Sequence, residues 1–85
     1  MTKAEKIKEV TRNFYALIGE SGYQAHDEGH GYWYVEPKGS TDNRNMFMVT
    51  RKFDVETSFC ENAEVLEFAD ALETRLNEYI RMFNL

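Results

Sequence analysis

The hydrophobic positions at the start of the chain recur every three or four residues. This spacing places apolar side chains on one stripe of a helix. Thr2 and Glu5 have the spacing of a capping box, and Gly19 and Gly22 supply the backbone conformations that commonly end a helix. The pattern predicts an amphipathic helix from about Lys3 to about Gly19. Its apolar stripe comprises Ala4, Ile7, Val10, Phe14, Leu17 and Ile18.

The last third of the chain shows the same period more strongly and predicts a second helix that carries much of the core. Its apolar residues fall within about 120° of arc on a helical wheel. Two starting points stay open, because Ser58 and Glu61 form another capping-box pattern and Asn62 is a rival N-cap. The apolar positions are Val65, Phe68, Ala69, Leu72, Leu76, Tyr79, Ile80 and Phe83.

Between the two helices the hydrophobic period changes to that of strands. Residues 31–35 are dense in aromatic and branched side chains and predict a strand that ends at Glu36 and Pro37, with residues 23–27 as a weaker hairpin partner. Residues 37–45 collect turn-forming residues and predict a loop. Alternation resumes over residues 47–59, which is longer than a usual strand. We therefore expect a bend or bulge near Arg51 and Lys52, and a short fourth strand stays open.

This order of elements predicts an α+β fold, αβββα. Two apolar-striped helices and a three-stranded antiparallel meander form a two-layer sandwich when both helices cover one sheet face. A length of 85 residues allows one domain, residues 1–85. The chain shows neither a signal-peptide pattern nor an apolar run long enough to span a bilayer. The single cysteine, Cys60, cannot form an internal disulfide, which fits a reducing compartment, so we expect a cytoplasmic protein.

The charge is acidic and unevenly distributed. Fifteen acids against ten bases leave a formal charge of −5, which argues against direct binding to nucleic acid or to an anionic membrane. Residues 61–85 carry six acids and two arginines, or −4, whereas residues 1–19 carry four bases and two acids, or +2. The acids of the last helix lie mainly off its apolar stripe: Glu61, Glu64, Glu67, Asp70, Glu73 and Glu78. They either meet a basic, nucleic-acid-handling partner or form an ordinary solvated face.

Two clusters are candidates for chemistry. His26, Asp27, Glu28 and His30 combine imidazoles and carboxylates, which suits zinc or iron, but a single hairpin tip gives ligands awkward geometry and no second cluster completes a site. The competing interpretation is a polar turn. Cys60 sits among acids and no nucleophile motif accompanies it, so we expect a buried structural cysteine, no enzyme and no cofactor.

Strand alternation produces the most informative surface. If Trp33 and Val35 face the helices, Tyr32 and Tyr34 point to the opposite sheet face. Met46 and Met48 on the next strand share that direction, so four interface-prone side chains are expected to be exposed together. Two alternatives stay open: the faces are swapped and the tyrosines are core, or the patch is small and unused.

The leading hypothesis is a small acidic protein-interaction module of inhibitor, immunity or adaptor type. Chains of this size and charge, without catalytic groups, often come from phage or mobile elements. The predicted partner-binding residues are Tyr32, Tyr34, Met46, Met48, Glu64, Glu67 and Asp70. The alternatives are a metal-binding protein that uses His26, Asp27 and His30, and a structural homodimer subunit.

Overall fold

The computed structural model describes residues 1–27 and 29–85, which form two helices and a four-stranded antiparallel sheet, an α+β fold. None of the described helices is long and apolar enough to cross a membrane. A 3-10 turn, Asn43–Asn45, interrupts the predicted loop. The elements in chain order are helix α1 Lys3–Glu20, strands β1 Tyr23–Asp27, β2 Tyr32–Pro37, β3 Phe47–Thr50 and β4 Val55–Glu56, and helix α2 Ala63–Met82.

The sheet has four strands in the order β1-β2-β3-β4, so the three-stranded meander was wrong and the short fourth strand that the sequence left open is present. The chain turns at Arg51 and Lys52, where a bend was expected. Thr50 fixes this turn, because its Oγ1 accepts the backbone N–H of Asp54 at 3.1 Å. Phe53 completes the turn with a φ of 66°, a conformation that bulky residues rarely adopt. The chain then runs back along β3 as β4 instead of continuing the same strand.

The capping box at the start of α1 is confirmed. The Thr2 backbone N–H donates to Glu5 Oε1 at 2.9 Å, and the Glu5 N–H donates to Thr2 Oγ1 at 3.1 Å. Hydrogen bonding of the Glu5 carboxyl by the Thr2 backbone N–H, and then by the Thr2 side chain, holds its pKa below its usual value. The helix ends one residue later than predicted, and Gly22 adopts a φ of 76° where the chain reverses into β1.

Helix α2 begins after Asn62, which decides between the two predicted starts. Asn62 Oδ1 accepts the backbone N–H groups of Glu64 at 3.0 Å and Val65 at 3.2 Å. Its amide also donates to Asn45 Oδ1 at 3.1 Å, which ties the helix to the loop before β3. Ser58 instead lies in the turn that follows β4.

Substituting this cap tests the assignment. We expect Asn62→Ala to lower the free energy of unfolding by about 1 kcal/mol, because two N–H groups of the first turn lose their acceptor. Ser58→Ala is the matched control and is expected to change it by less than about 0.5 kcal/mol. Urea unfolding followed by circular dichroism measures both values. A larger loss from Ser58→Ala than from Asn62→Ala would contradict the observed start.

The core joins both helices to the sheet through aromatic contacts. The ring of Phe14 in α1 lies 4.8 Å from that of Trp33, between centroids. Phe68 in α2 stacks on Tyr23 at 3.9 Å and lies 6.2 Å from Phe47. The buried residues are Val10, Phe14, Ile18, Trp33, Val35, Phe47, Val49, Phe53, Cys60, Val65, Ala69, Leu72 and Leu76.

Candidate partner-binding face

The side chains of β2 and β3 separate into a buried set and an opposite set. Trp33 and Val35 are buried, and Tyr32 and Tyr34 alternate with them along β2. Because successive side chains of a strand point to opposite faces, both tyrosines lie on the far side of the sheet from Trp33. Met48 is the register partner of Tyr34, and Met46 precedes it by two residues in extended backbone. We call the surface formed by Tyr32, Tyr34, Met46 and Met48 the tyrosine–methionine face.

The four residues of this face are partly buried instead of fully exposed. The rings of Tyr32 and Tyr34 lie 5.3 Å apart, nearly perpendicular at 72°. The His30 imidazole lies 6.1 Å from the Tyr32 ring and 6.4 Å from the Tyr34 ring, and its Nδ1 is 3.4 Å from Tyr34 Oη. The aromatic groups therefore shield one another and present one cluster to solvent.

A groove of 410 Å³ runs beside this cluster, between the sheet and the loop before β3. Its walls combine ring and thioether surface with hydroxyl, amide and carboxylate groups. The groove is more polar than apolar, because only Tyr34 and Met46 supply apolar surface. The lining residues are His26, Tyr34, Glu36, Ser40, Thr41, Asn43 and Met46.

One carboxylate organises the polar wall of the groove. Glu36 Oε1 accepts the amide N–H of Gln24 at 3.0 Å and lies 2.8 Å from His26 Nε2. Gln24 and Glu36 are register partners across β1 and β2, so the hairpin positions both side chains. These contacts place the imidazole and the carboxylate side by side at the groove.

Sequence reasoning missed several of these groups. Glu36 has the same strand parity as Tyr32 and Tyr34, so alternation alone was enough to place it on the face. Gln24 follows once the hairpin register is known. Ser40, Thr41 and Asn43 carried no signal, because their position depends on how the loop folds back over the sheet.

The residues of the alternative metal site make separate contacts. His26 is held by Glu36, whereas Asp27 is the register partner of Trp33 and so lies on the other sheet face. The Asp27 carboxylate accepts the N–H of Gly29 at 3.0 Å and pairs with Arg51, and both interactions lower its pKa. Within residues 1–27 and 29–85, no three His, Cys, Asp or Glu side chains form a group that could hold a metal. Glu28 lies outside the described residues.

The acidic residues of α2 predicted to support partner binding, Glu64, Glu67 and Asp70, are exposed. Glu64 is close enough to Tyr23 in β1 for its charge to act on the phenol, and Tyr23 has the parity of the buried face. Asp70 lines a different groove, with Val55 of β4. Glu64 therefore lies near β1, at one edge of the sheet, and Asp70 near β4, at the other.

The titration of Tyr23 reports on this arrangement. Partial burial, followed by the charges of Glu64 and Cys60, raises the pKa of Tyr23 above its usual value. The pKa of Tyr23 is higher in the folded chain than in the unfolded chain. The contribution of neutral Tyr23 to stability is therefore fully present below about pH 10, the unfolded value, and is lost as the pH rises through the folded pKa. We expect Glu64→Gln to lower the pKa of Tyr23, measured by NMR with ¹³Cζ-labelled tyrosine. Glu67→Gln is the matched control, and equal shifts in the two variants would contradict the placement of Glu64.

Cys60 is buried between β4 and α2, as predicted. Its thiol lies 3.9 Å from the backbone oxygen of Asn62, at the cap of α2. This position gives Cys60 a packing role at the start of the helix.

The chain matches no protein-family model, no curated protein and no solved structure. Its function is therefore inferred from residue chemistry and geometry.

Proposed function

We propose that this protein is a small acidic interaction module that acts by binding another protein through the tyrosine–methionine face. The observation that carries the proposal is the cross-strand pair of Tyr34 and Met48 beside the 410 Å³ groove. Tyrosine and methionine are enriched at protein interfaces. Tyrosine combines an apolar ring with a hydroxyl that stays hydrogen-bonded, and methionine has a flexible thioether that adapts to a partner surface. A partner side chain that enters the groove meets this apolar surface and the polar wall together.

Accessibility of this face follows from where the helices pack. We infer that both helices cover the face of Trp33 and Val35. Phe14 of α1 contacts Trp33, and Phe68 of α2 contacts Tyr23 and Phe47. The strand register places the side chains of Trp33, Tyr23 and Phe47 on the same side of the sheet. With both helices on that side, the tyrosine–methionine face is left for a partner.

The groove defines which partner surface fits. The apolar parts of Tyr34 and Met46 favour an apolar side chain, and the Glu36 carboxylate favours a donor next to it. The net charge of −5 attracts basic proteins over long range and speeds their association, an effect that weakens with salt. These properties suit an inhibitor, immunity or adaptor protein that binds a basic, nucleic-acid-handling partner in the cytoplasm.

Affinity capture tests the proposal. The tagged chain and a Tyr34→Ala/Met48→Ala variant are used in parallel to capture proteins from lysate of the natural host. We expect a protein that the parent retains in stoichiometric amount and the variant does not. A partner retained equally by both would contradict the role of the face.

Light scattering distinguishes the monomer from the alternative homodimer. A mass near the 10.0 kDa of the monomer supports binding of a different protein by the tyrosine–methionine face. A dimer that the Tyr34→Ala/Met48→Ala variant dissociates would assign the face to self-association and overturn the proposal.

A further inference from the structure

The outer edge of β4 offers unpaired backbone groups. Strand β4 ends the sheet, so no strand of the described residues lies on its outer side. The carbonyl oxygen of Asp54 accepts the N–H of Thr50 at 2.9 Å and therefore points toward β3. Because backbone groups alternate in direction along a strand, the N–H and C=O of Val55 point away from the sheet. These groups can pair with an added strand at this one residue, because β4 spans only two residues and the Thr57 carbonyl already accepts the Cys60 N–H at 3.0 Å.

A groove of 190 Å³ lies directly beside this edge, between β4 and one flank of α2. Val55 and Leu66 provide apolar surface, Leu66 being 37% exposed although it is a large apolar residue, and the buried Ala69 lies beneath them. Asp70 and Glu73 form the acidic side of the groove. Neither carboxylate forms an ion pair with any described residue of the chain.

We propose that an extended basic segment of a partner protein adds to β4 as a fifth strand. Its backbone forms hydrogen bonds with the outward N–H and C=O of Val55. One of its apolar side chains enters the groove over Leu66 and Ala69. Lysine or arginine side chains then reach Asp70 and Glu73. The charge of −4 on residues 61–85 attracts such a segment and excludes an acidic one. This edge site is separate from the tyrosine–methionine face and does not depend on it.

The probe is a synthetic, end-capped peptide of about eight residues in which lysine and valine alternate, the length of an ordinary strand. It is titrated into the ¹⁵N-labelled chain. At saturation we expect hydrogen exchange of the Val55 amide to slow by at least about tenfold, because the amide then has an acceptor. A peptide of alternating glutamate and valine is expected not to bind. Binding of the lysine peptide without protection of Val55 would overturn the fifth-strand geometry.

Matched charge variants separate the edge site from general attraction. Asp70→Asn/Glu73→Gln is expected to weaken peptide binding by about tenfold, through the loss of two ion pairs. Glu64→Gln/Glu67→Gln removes the same charge at the same spacing from another part of α2 and is expected to cost less than about threefold. Equal losses in the two variants would overturn the proposal.

Two further variants test the backbone contact and the independence of the site. Val55→Pro removes the outward N–H at a position where an edge strand tolerates proline, and is expected to abolish peptide binding. Tyr34→Ala lies on β2, which does not adjoin β4, and is expected to bind the peptide as the parent does. Unchanged peptide binding by a folded Val55→Pro variant, or lost binding by Tyr34→Ala, would contradict the edge site. Failure of the tyrosine–methionine face in partner capture leaves these outcomes unaffected.

Discussion

Replacing Phe14 with alanine is expected to lower the free energy of unfolding by about 3–5 kcal/mol, the cost of deleting a fully buried phenylalanine. Phe14 has no exposed surface, and its ring lies 4.8 Å from that of Trp33. The truncated side chain leaves a cavity between α1 and the sheet. Because domains of this size are stable by only about 5–15 kcal/mol, a large part of the protein's stability depends on this contact.

Phe59→Ala is the matched control, since Phe59 is 38% exposed. We expect it to lower the free energy of unfolding by only about 1–2 kcal/mol, because Phe59 buries less apolar surface than Phe14 does. Urea unfolding monitored by far-ultraviolet circular dichroism gives both values. Similar losses for Phe14→Ala and Phe59→Ala would contradict the packing of α1 against Trp33.

The double substitution Tyr34→Ala/Met48→Ala is expected to weaken partner binding by at least about 30-fold, which corresponds to about 2 kcal/mol for the loss of an interface hot spot. The two side chains are direct neighbours across β2 and β3, so the variant removes one continuous contact area. Both are partly buried, and cross-strand pairs of this kind contribute only about 0.2–1 kcal/mol to stability. The variant should therefore stay folded while binding is lost.

The control for this variant removes similar apolar groups elsewhere on the surface. Phe59→Ala/Met82→Ala truncates an aromatic and a methionine that lie outside the face and are 38% and 69% exposed. Calorimetry with the purified partner is expected to give parent-like affinity for this control. If the control loses as much affinity as Tyr34→Ala/Met48→Ala, the tyrosine–methionine face is not the contact surface.

The helices were predictable because their signals are local. The capping box of Thr2 and Glu5 and the spacing of Val10, Phe14 and Ile18 need no long-range contact to be recognised. The start of α2 was not predictable, because Ser58 and Asn62 are both residue types that cap helices. Asn62 also bonds Asn45, seventeen positions earlier, a contact that only the folded chain provides.

The alternation of hydrophobic residues gave only a weak signal for the fourth strand. Val55 and Glu56 are too few for alternation to define a strand, and their pairing depends on the turn at residues 50–53. That turn requires a positive φ at Phe53, which no propensity favours for phenylalanine. Packing of its buried ring against Trp33, with centroids 5.9 Å apart, offsets the unusual backbone.

The candidate face was predictable in direction but not in shape. Alternation with Trp33 and Val35 places Tyr32 and Tyr34 on one side of the sheet whatever the turns do. The groove depends on the loop that carries Ser40, Thr41 and Asn43, and no periodic pattern specifies how such a loop folds. Helical spacing placed Glu64, Glu67 and Asp70 off the apolar stripe of α2, but spacing within one helix does not report the distance to the face.

Methionine methyl NMR tests the partner-binding face most directly, because the four methionines divide into two pairs. Met46 and Met48 belong to the face, whereas Met1 and Met82 lie outside it and are 73% and 69% exposed. The ¹³C-methyl-methionine protein is titrated with the partner obtained by affinity capture. We expect the Met46 and Met48 signals to shift or broaden and those of Met1 and Met82 to stay unchanged. Bound partner with unperturbed Met46 and Met48 signals would contradict the proposed function.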